Sequence, residues 1–144
     1  MKDSATTINI DLESFLPFQM AIVANRLFQR LVAEAGLQLP EWRIMMVLLR
    51  HEPCSSNDLS ILTSMDAARV SRAQRRLESL GLIDVIQDQE DRRRLVVTLT
   101  ETGRDESLRL TALAVAAEER MIGDLPAEAQ ECLRGAMGHL FNRL

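Results

Sequence analysis

The chain has 144 residues, of which 47% are hydrophobic, and this is enough for one domain with a sizeable core. Its formal net charge of −4 argues against indiscriminate binding of polyanions, but it does not exclude a local basic patch, because placement decides where charge acts. With two cysteines, no apolar run near the roughly 18 residues of a membrane span and no signal-peptide pattern, we expect a cytoplasmic protein without membrane contact.

The first two predicted elements are helices. Ser14 is a candidate N-cap, and Pro17 falls in the first turn, where its missing N–H costs little. Apolar residues keep helical spacing from there until Gly36. The second helix, roughly 41 to 51, is apolar on most of its circumference, which predicts a central buried helix.

A short helix and a longer one follow. Ser55 with Asp58 resembles a capping box that opens the short helix. Asp66 can cap a helix that runs to Leu80, and Gly81 is the expected left-handed stop.

The hydrophobic period then changes. Residues 82–86 and 95–99 are rich in branched apolar side chains, and the acidic stretch 88–91 between them has turn chemistry, so we expect a hairpin. Thr100 can cap a long helix that runs to about residue 122, and a last helix begins near Pro126.

The order of these elements defines the expected fold class: mainly α with a small β-hairpin. Two short helices followed by a strand pair with a tight tip make a winged helix-turn-helix. We expect a single domain over residues 1–144, with the winged helix-turn-helix lobe at 37–100 and long flanking helices in 1–36 and 101–144.

The helix at 67–80 has one apolar arc and one polar face. At about 100° per residue, Val70, Ala73, Leu77 and Leu80 fall on the side that must face the core. The opposite side and one flank carry small residues and arginines: Ala68, Ser71, Arg72 and Arg75 opposite the core, and Arg69 and Arg76 on the flank. Such a helix, about 10–12 Å across, fits a DNA major groove about 12 Å wide. For this helix alone, a solvated arginine-rich face is the alternative explanation.

A second concentration of arginine lies at the tip of the hairpin. The stretch DQEDRRRLVVTLTETG places Arg92, Arg93 and Arg94 directly after the acidic turn. An arginine-rich helix face together with an arginine-rich hairpin tip suits contacts with a DNA groove and its flanks, which favours DNA binding over a merely solvated surface.

The stretch SSNDLSILTSMDAARVSRAQRRLESLGLI, followed by DQEDRRRLVVTLTETGR, resembles the multiple-antibiotic-resistance regulator (MarR) family of bacterial transcription factors. The similarity is densest from Trp42 to Arg104, and Gln89 departs from it because the family's wings often carry proline there. The resemblance implies a homodimeric, ligand-responsive repressor, or an activator, that binds pseudo-palindromic double-stranded DNA. The flanking helices fit this expectation, since helices apolar on most faces need a packing partner and a second subunit supplies one.

The resemblance also implies roles for individual residues. The expected major-groove residues are Ala68, Ser71, Arg72 and Arg75, and the expected phosphate contacts are Arg69, Arg76 and Arg92. Arg93 would enter the adjacent minor groove, with Asp91 orienting it through a charge-assisted hydrogen bond. Arg94 has no firm role, and it could instead pair with a body carboxylate such as Asp84.

Proteins similar to this family commonly bind a small aromatic or anionic effector between the DNA-binding lobe and the dimer helices. The residues that match this region are the walls Phe18, Ile22, Trp42 and Met46 and the polar anchors Gln19, Arg26 and Arg43. The alternative is that Trp42 and the methionines belong to the core, and that Arg43 pairs with an interface carboxylate.

Other functions have less support in the sequence. Cys54 precedes a helix N-terminus, a location that can lower the pKa of a thiol, so a redox-responsive regulator is one alternative; Cys132 suggests packing. No cluster has zinc spacing and no catalytic motif is present, so we expect no metal, cofactor or catalytic residue. The remaining alternative is a winged helix that acts as an adaptor or antirepressor through protein contacts.

Overall fold

The computed structural model describes residues 10–143, which contain six helices and one antiparallel pair of strands. In chain order these are α1 (Leu16–Ala33), α2 (Leu39–His51), α3 (Ser56–Thr63), α4 (Ala67–Ser79), β1 (Ile83–Gln87), β2 (Leu95–Leu99), α5 (Glu101–Ile122) and α6 (Ala127–Phe141). The predicted order, and the mainly α class with a small hairpin, are confirmed. The division into a lobe at 37–100 and flanking helices stays a prediction, and residues 1–9 of the first flanking segment lie outside the described part.

Side-chain caps define where the helices of the lobe begin. Asp58 Oδ2 accepts the Ser55 backbone N–H at 2.8 Å, and Ser55 Oγ accepts that of Asp58 at 3.1 Å, which confirms the predicted capping box. Asp66 Oδ1 likewise accepts the Arg69 N–H at 2.8 Å. The predicted cap Ser14 is wrong: its hydroxyl donates to Asp11 at 2.8 Å, and α1 begins one residue later, after Phe15, without a side-chain cap.

The second helix is the centre of the core, as its sequence predicted. Its Ile44, Met45 and Leu48 are fully buried. Around it pack α1, α3, α4, α5 and β2, so most elements meet on one helix. The helix begins at Leu39 rather than near residue 41, because the Glu41 carboxylate accepts the Gln38 backbone N–H at 2.7 Å and extends the helical turn.

The base of the hairpin is fixed to the lobe from two sides. On one side, Cys54 and Val97 exchange backbone hydrogen bonds of 3.1 and 2.7 Å, which adds an isolated bridge to the β1–β2 pair. On the other side, the start of α5 lies against the β1 entry: a Cβ added to Gly103 would lie 1.8 Å from the Leu82 carbonyl oxygen. Only glycine permits that close approach of helix to strand.

Among the helices described between residues 10 and 143, none combines the length and the apolarity that crossing a bilayer requires.

Candidate nucleic-acid interface

The fourth helix, α4, has the two faces that its sequence predicted. Val70, Ala73 and Leu77 are buried against the core. Leu80 departs from the prediction: it is the C-cap residue, one position after the helix ends at Ser79, and it is 47% exposed. The opposite face consists of exposed residues and one half-buried serine, namely Ala68, Arg69, Arg72, Arg75 and Ser71. We refer to α4 below as the recognition helix.

Two of these polar side chains lie together. The Arg75 guanidinium lies along its own helix and donates to the Ser71 carbonyl and hydroxyl oxygens, both at 3.3 Å.

At the helix start, the Arg69 N–H and then the charges of Arg69 and Arg72 hold the pKa of the Asp66 carboxyl below its ordinary value. Within the described chain, the Arg69 and Arg72 head groups form no hydrogen bond or ion pair, so both are available to an external anion.

The last arginine of the recognition helix is placed differently. Arg76 Nε lies 3.2 Å from Glu41 Oε1, and Arg76 Nη2 donates to the Gly36 carbonyl oxygen at 2.9 Å. The Glu41 side chain is buried, with 3% of the residue exposed, and Gly36 lies in the α1–α2 connection. Arg76 therefore ties the recognition helix to the body of the protein, and we leave it out of the DNA contacts proposed below.

The hairpin tip, residues 88–94, is a turn organised by acidic side chains. Asp91 Oδ1 accepts the backbone N–H of Arg93 at 3.0 Å, and the Asp91 carbonyl accepts that of Arg94 at 2.9 Å. We expected Asp91 to hold the Arg93 guanidinium; the structure instead shows it shaping the backbone of the turn. The exposed Arg92 and Arg93 head groups form no hydrogen bond or ion pair in the described part of the chain.

The third arginine of the tip has a partner in the lobe. Arg94 Nη2 lies 2.7 Å from Asp58 Oδ2 in α3. The expectation that Arg94 could pair with a body carboxylate is therefore confirmed, but the example Asp84 is wrong, because the strand register places Asp84 opposite Thr98, four residues along the chain from Arg94. Arg94 thus resembles Arg76, whereas Arg69, Arg72, Arg92 and Arg93 are the outward arginines of this surface.

The predicted effector residues do not share one cavity among the described residues. Trp42 stacks on Phe28 with ring centroids 4.4 Å apart, and the Met46 sulfur accepts the Thr111 hydroxyl at 3.4 Å, so both side chains pack onto the core. The Trp42 Nε1–H is buried without a hydrogen-bond partner among these residues. The other predicted residues are Phe18, Gln19 and Arg26, all exposed, and Ile22 and Arg43, both half-buried.

A cavity of about 770 Å³ lies instead between α1 and α5. Of the predicted effector residues only Arg26 lines it. Two further arginines, Arg30 and Arg120, and one carboxylate, Glu34, share the wall with apolar side chains. We call this the α1–α5 cavity.

The cysteines offer little support for redox sensing. Cys54 is 2% exposed, its thiol donates to the His51 carbonyl oxygen at 3.2 Å, and burial, followed by the Asp58 charge, raises the thiol's pKa. Burial thus outweighs the helix N-terminus that could have lowered it. Cys132, predicted as packing, is exposed within the chain. The described residues contain no group of three or more histidine, cysteine or carboxylate side chains suited to a metal ion.

The known proteins that are similar to this chain are transcriptional regulators. A model of the MarR family matches residues 35–94. The transcriptional activatory protein BadR of Rhodopseudomonas palustris is 31% identical over 110 residues, which cover 71% of this chain and 62% of that relative. The chain therefore spans less than two thirds of the length of this curated relative.

Two solved structures extend the similarity over most of the chain. A probable transcriptional regulator from Pseudomonas aeruginosa is 33% identical, with a TM-score of 0.77, and the match covers 90% of this chain and 98% of that one. A MarR/EmrR family transcriptional regulator from Acinetobacter sp. ADP1 is 26% identical, with a TM-score of 0.79, over 93% and 97% of the two chains.

Proposed function

Because this chain belongs to the MarR family of winged-helix transcriptional regulators, we propose that it binds double-stranded DNA as a homodimer and regulates transcription from a pseudo-palindromic operator. The family consists of regulators rather than enzymes, in agreement with the sequence analysis. The observation that carries the proposal is the set of outward arginines, which concentrates positive charge on two protrusions of an acidic chain.

The geometry of this surface supports a division of DNA contacts. Small residues at the start of the recognition helix let its backbone approach the base edges of the major groove, where an arginine can bind guanine through two hydrogen bonds. The proposed major-groove contacts are Ala68, Ser71, Arg72 and Arg75, and the proposed phosphate contacts are Arg69 and Arg92. Arg93, at the exposed tip, would enter the adjacent minor groove, where narrow A·T-rich stretches concentrate negative potential.

In this proposal the protein acts in the cytoplasm, and repression is the simplest mode, because a dimer on a promoter excludes polymerase. Activation is the second candidate. It is favoured by the similarity to BadR, which is named an activatory protein.

We propose dimerisation because α6 has no packing partner of sufficient size among residues 10–143. None of its described residues is buried, and Phe141 is 84% exposed. An ion pair of 2.6 Å between Arg134 and Glu118 links it to α5. The apolar side chains left exposed on α6 and on α1 are Leu133, Met137, Leu140 and Phe141, and Leu16, Phe18 and Val23. Such a surface marks a protein interface, and a second copy covers both helices symmetrically.

We further propose that a small aromatic anion binds in the α1–α5 cavity. Its volume of about 770 Å³ lies in the range of small-molecule sites. Three guanidinium groups against one carboxylate make its wall electropositive, and apolar side chains of both helices suit an aromatic ring. Since α1 also carries part of the proposed interface, a ligand here would bias the separation of the two recognition helices.

For DNA binding, we expect Arg93→Ala to weaken binding to the protein's own upstream region at least about tenfold, since it removes the minor-groove contact. Arg75→Ala should cost about 1–3 kcal/mol and relax the preference at one base position. Fluorescence anisotropy measures both, with Arg143→Ala as a control at the far end of the chain. Unchanged affinity of Arg93→Ala would refute the assignment of the wing.

For the dimer, we expect Met137→Glu to shift the protein towards monomer in sedimentation equilibrium, because it buries a carboxylate in an apolar interface. Glu131→Lys changes the charge on the opposite side of the same helix and should leave the dimer intact. A wild-type protein that sediments as a monomer, or a Met137→Glu variant that stays dimeric, contradicts this interface.

For the ligand, we expect 1-naphthoate to bind and its uncharged analogue 1-naphthylmethanol to bind at least about tenfold more weakly, as measured by calorimetry. Arg26→Gln should weaken binding of 1-naphthoate by a similar factor, because one charge-assisted hydrogen bond is lost. Arg43→Gln, outside the cavity, serves as the control. Equal binding of the charged and uncharged probes would rule out an anion site.

A further inference from the structure

Among the described residues, one side-chain hydrogen bond or ion pair joins the hairpin tip to the rest of the lobe. It is the ion pair of Arg94 with Asp58, which are 36 residues apart in the chain and 2.7 Å apart in space. The other side-chain hydrogen bonds of the tip stay inside it: Asp88 accepts the Glu90 N–H, and Asp91 accepts the Arg93 N–H. This pair is therefore the polar link that can influence the direction in which the tip points.

The Asp58 carboxylate is positioned by Ser55 independently of Arg94. Its Oδ2 accepts the Ser55 N–H at 2.8 Å and the Ser55 hydroxyl at 2.6 Å. These two hydrogen bonds, and then the Arg94 charge, hold the pKa of the Asp58 carboxyl below its ordinary value, so the group is ionised near neutral pH. Since only the arginine must be ordered, the pair loses less side-chain entropy than an ordinary surface ion pair.

The pair also adds a second attachment point for the hairpin on one segment of the lobe. The first is the backbone exchange between Cys54 and Val97. Arg94 lies three residues before Val97, about 10 Å along an extended strand, and its partner Asp58 lies four residues after Cys54. The attachments at Val97, Leu99 and Leu82 all lie at the base of the hairpin, whereas the Arg94–Asp58 pair adds one next to its tip. A hairpin held only at its base can bend towards its tip, and this further attachment restricts that bending.

We propose that Arg94 is the positioning residue of the wing: by binding Asp58 it directs the tip so that Arg93 faces the DNA. Arg94 itself neutralises no phosphate, because its guanidinium is paired with the Asp58 carboxylate. The proposal rests on the DNA-binding function proposed above, and it assigns different work to adjacent arginines. Arg93 contacts DNA, whereas Arg94 contributes to binding by positioning Arg93.

Hydrogen exchange of the free protein and the salt dependence of DNA binding test this together. In Arg94→Gln, exchange of the amides at 88–95 should rise several-fold and DNA affinity should fall at least about fivefold. The slope of log affinity against log salt should stay unchanged, because Arg94 contacts no phosphate and the loosened tip, once it is ordered on the DNA, still brings Arg92 to its phosphate. Arg94→Lys should restore most of both properties, since it keeps the charge.

Three further variants separate positioning from contact. Asp58→Asn keeps an acceptor for the Ser55 N–H and should reproduce the effects of Arg94→Gln, and the double variant should add little, because the two residues form one interaction. Arg92→Gln is the matched control: exchange at the tip should stay as in wild type. Its salt slope should become shallower by about 1.8, from about 0.9 per phosphate in each subunit.

Unchanged exchange at 88–95 in Arg94→Gln would overturn the proposal. A shallower salt slope in that variant would overturn it as well, because it would make Arg94 a phosphate contact. A wild-type protein that does not bind DNA would refute the proposed function alone. In that case the exchange measurement, made without DNA, still decides whether Arg94 holds the tip.

Discussion

The orientation of the recognition helix depends on one buried carboxylate. Glu41 accepts the Gln38 N–H at the start of α2 and pairs with Arg76 of the recognition helix, and Arg76 also binds the Gly36 carbonyl in the α1–α2 connection. A buried charge is costly unless it is paired, so the recognition helix cannot move away from α2 without leaving Glu41 uncompensated. The central helix, the recognition helix and the connection to α1 are thereby held as one unit.

The same arrangement recurs at the wing and explains why an acidic chain suits a DNA-binding role. Asp58 accepts the N–H of a helix N-cap residue and binds Arg94, just as Glu41 does with Arg76. Glu52 accepts the Leu99 N–H at 2.7 Å and pairs with Arg104. Each carboxylate thus accepts a backbone N–H, locally for Asp58 and Glu41 and across the fold for Glu52, and fixes an arginine on another element. The arginines that remain, on the recognition helix and at the tip, have no such partner among the described residues and face outward.

Sequence reasoning succeeded where the controlling interactions are local. The Ser55–Asp58 capping box, the Asp66 cap and the apolar arc of the recognition helix depend on residues within one or two turns. It failed where an alternative partner competes. The Ser14 hydroxyl donates to Asp11 instead of capping a helix, and the Asp91 carboxylate accepts a backbone N–H rather than binding a guanidinium. Arg94 forms its ion pair with Asp58, which lies 36 residues earlier in the chain. The raised pKa of Cys54 likewise follows from burial, which tertiary packing sets. For the effector residues, the same helical spacing of apolar side chains is expected of a pocket wall and of core packing, so the sequence cannot distinguish them. In the structure Trp42 and Met46 pack against the core.

The most direct test of this account compares two arginines of the recognition helix, Arg76→Met and Arg72→Met, by urea unfolding at one protein concentration and by DNA binding. We expect Arg76→Met to lower the free energy of unfolding by about 1–3 kcal/mol, because a buried carboxylate loses its partner, and the addition of Glu41→Gln to recover part of the loss. Arg72→Met should change the free energy of unfolding by less than about 0.5 kcal/mol while weakening DNA binding. Unchanged stability in Arg76→Met, with DNA affinity falling as in Arg72→Met, would contradict the division between positioning and outward arginines.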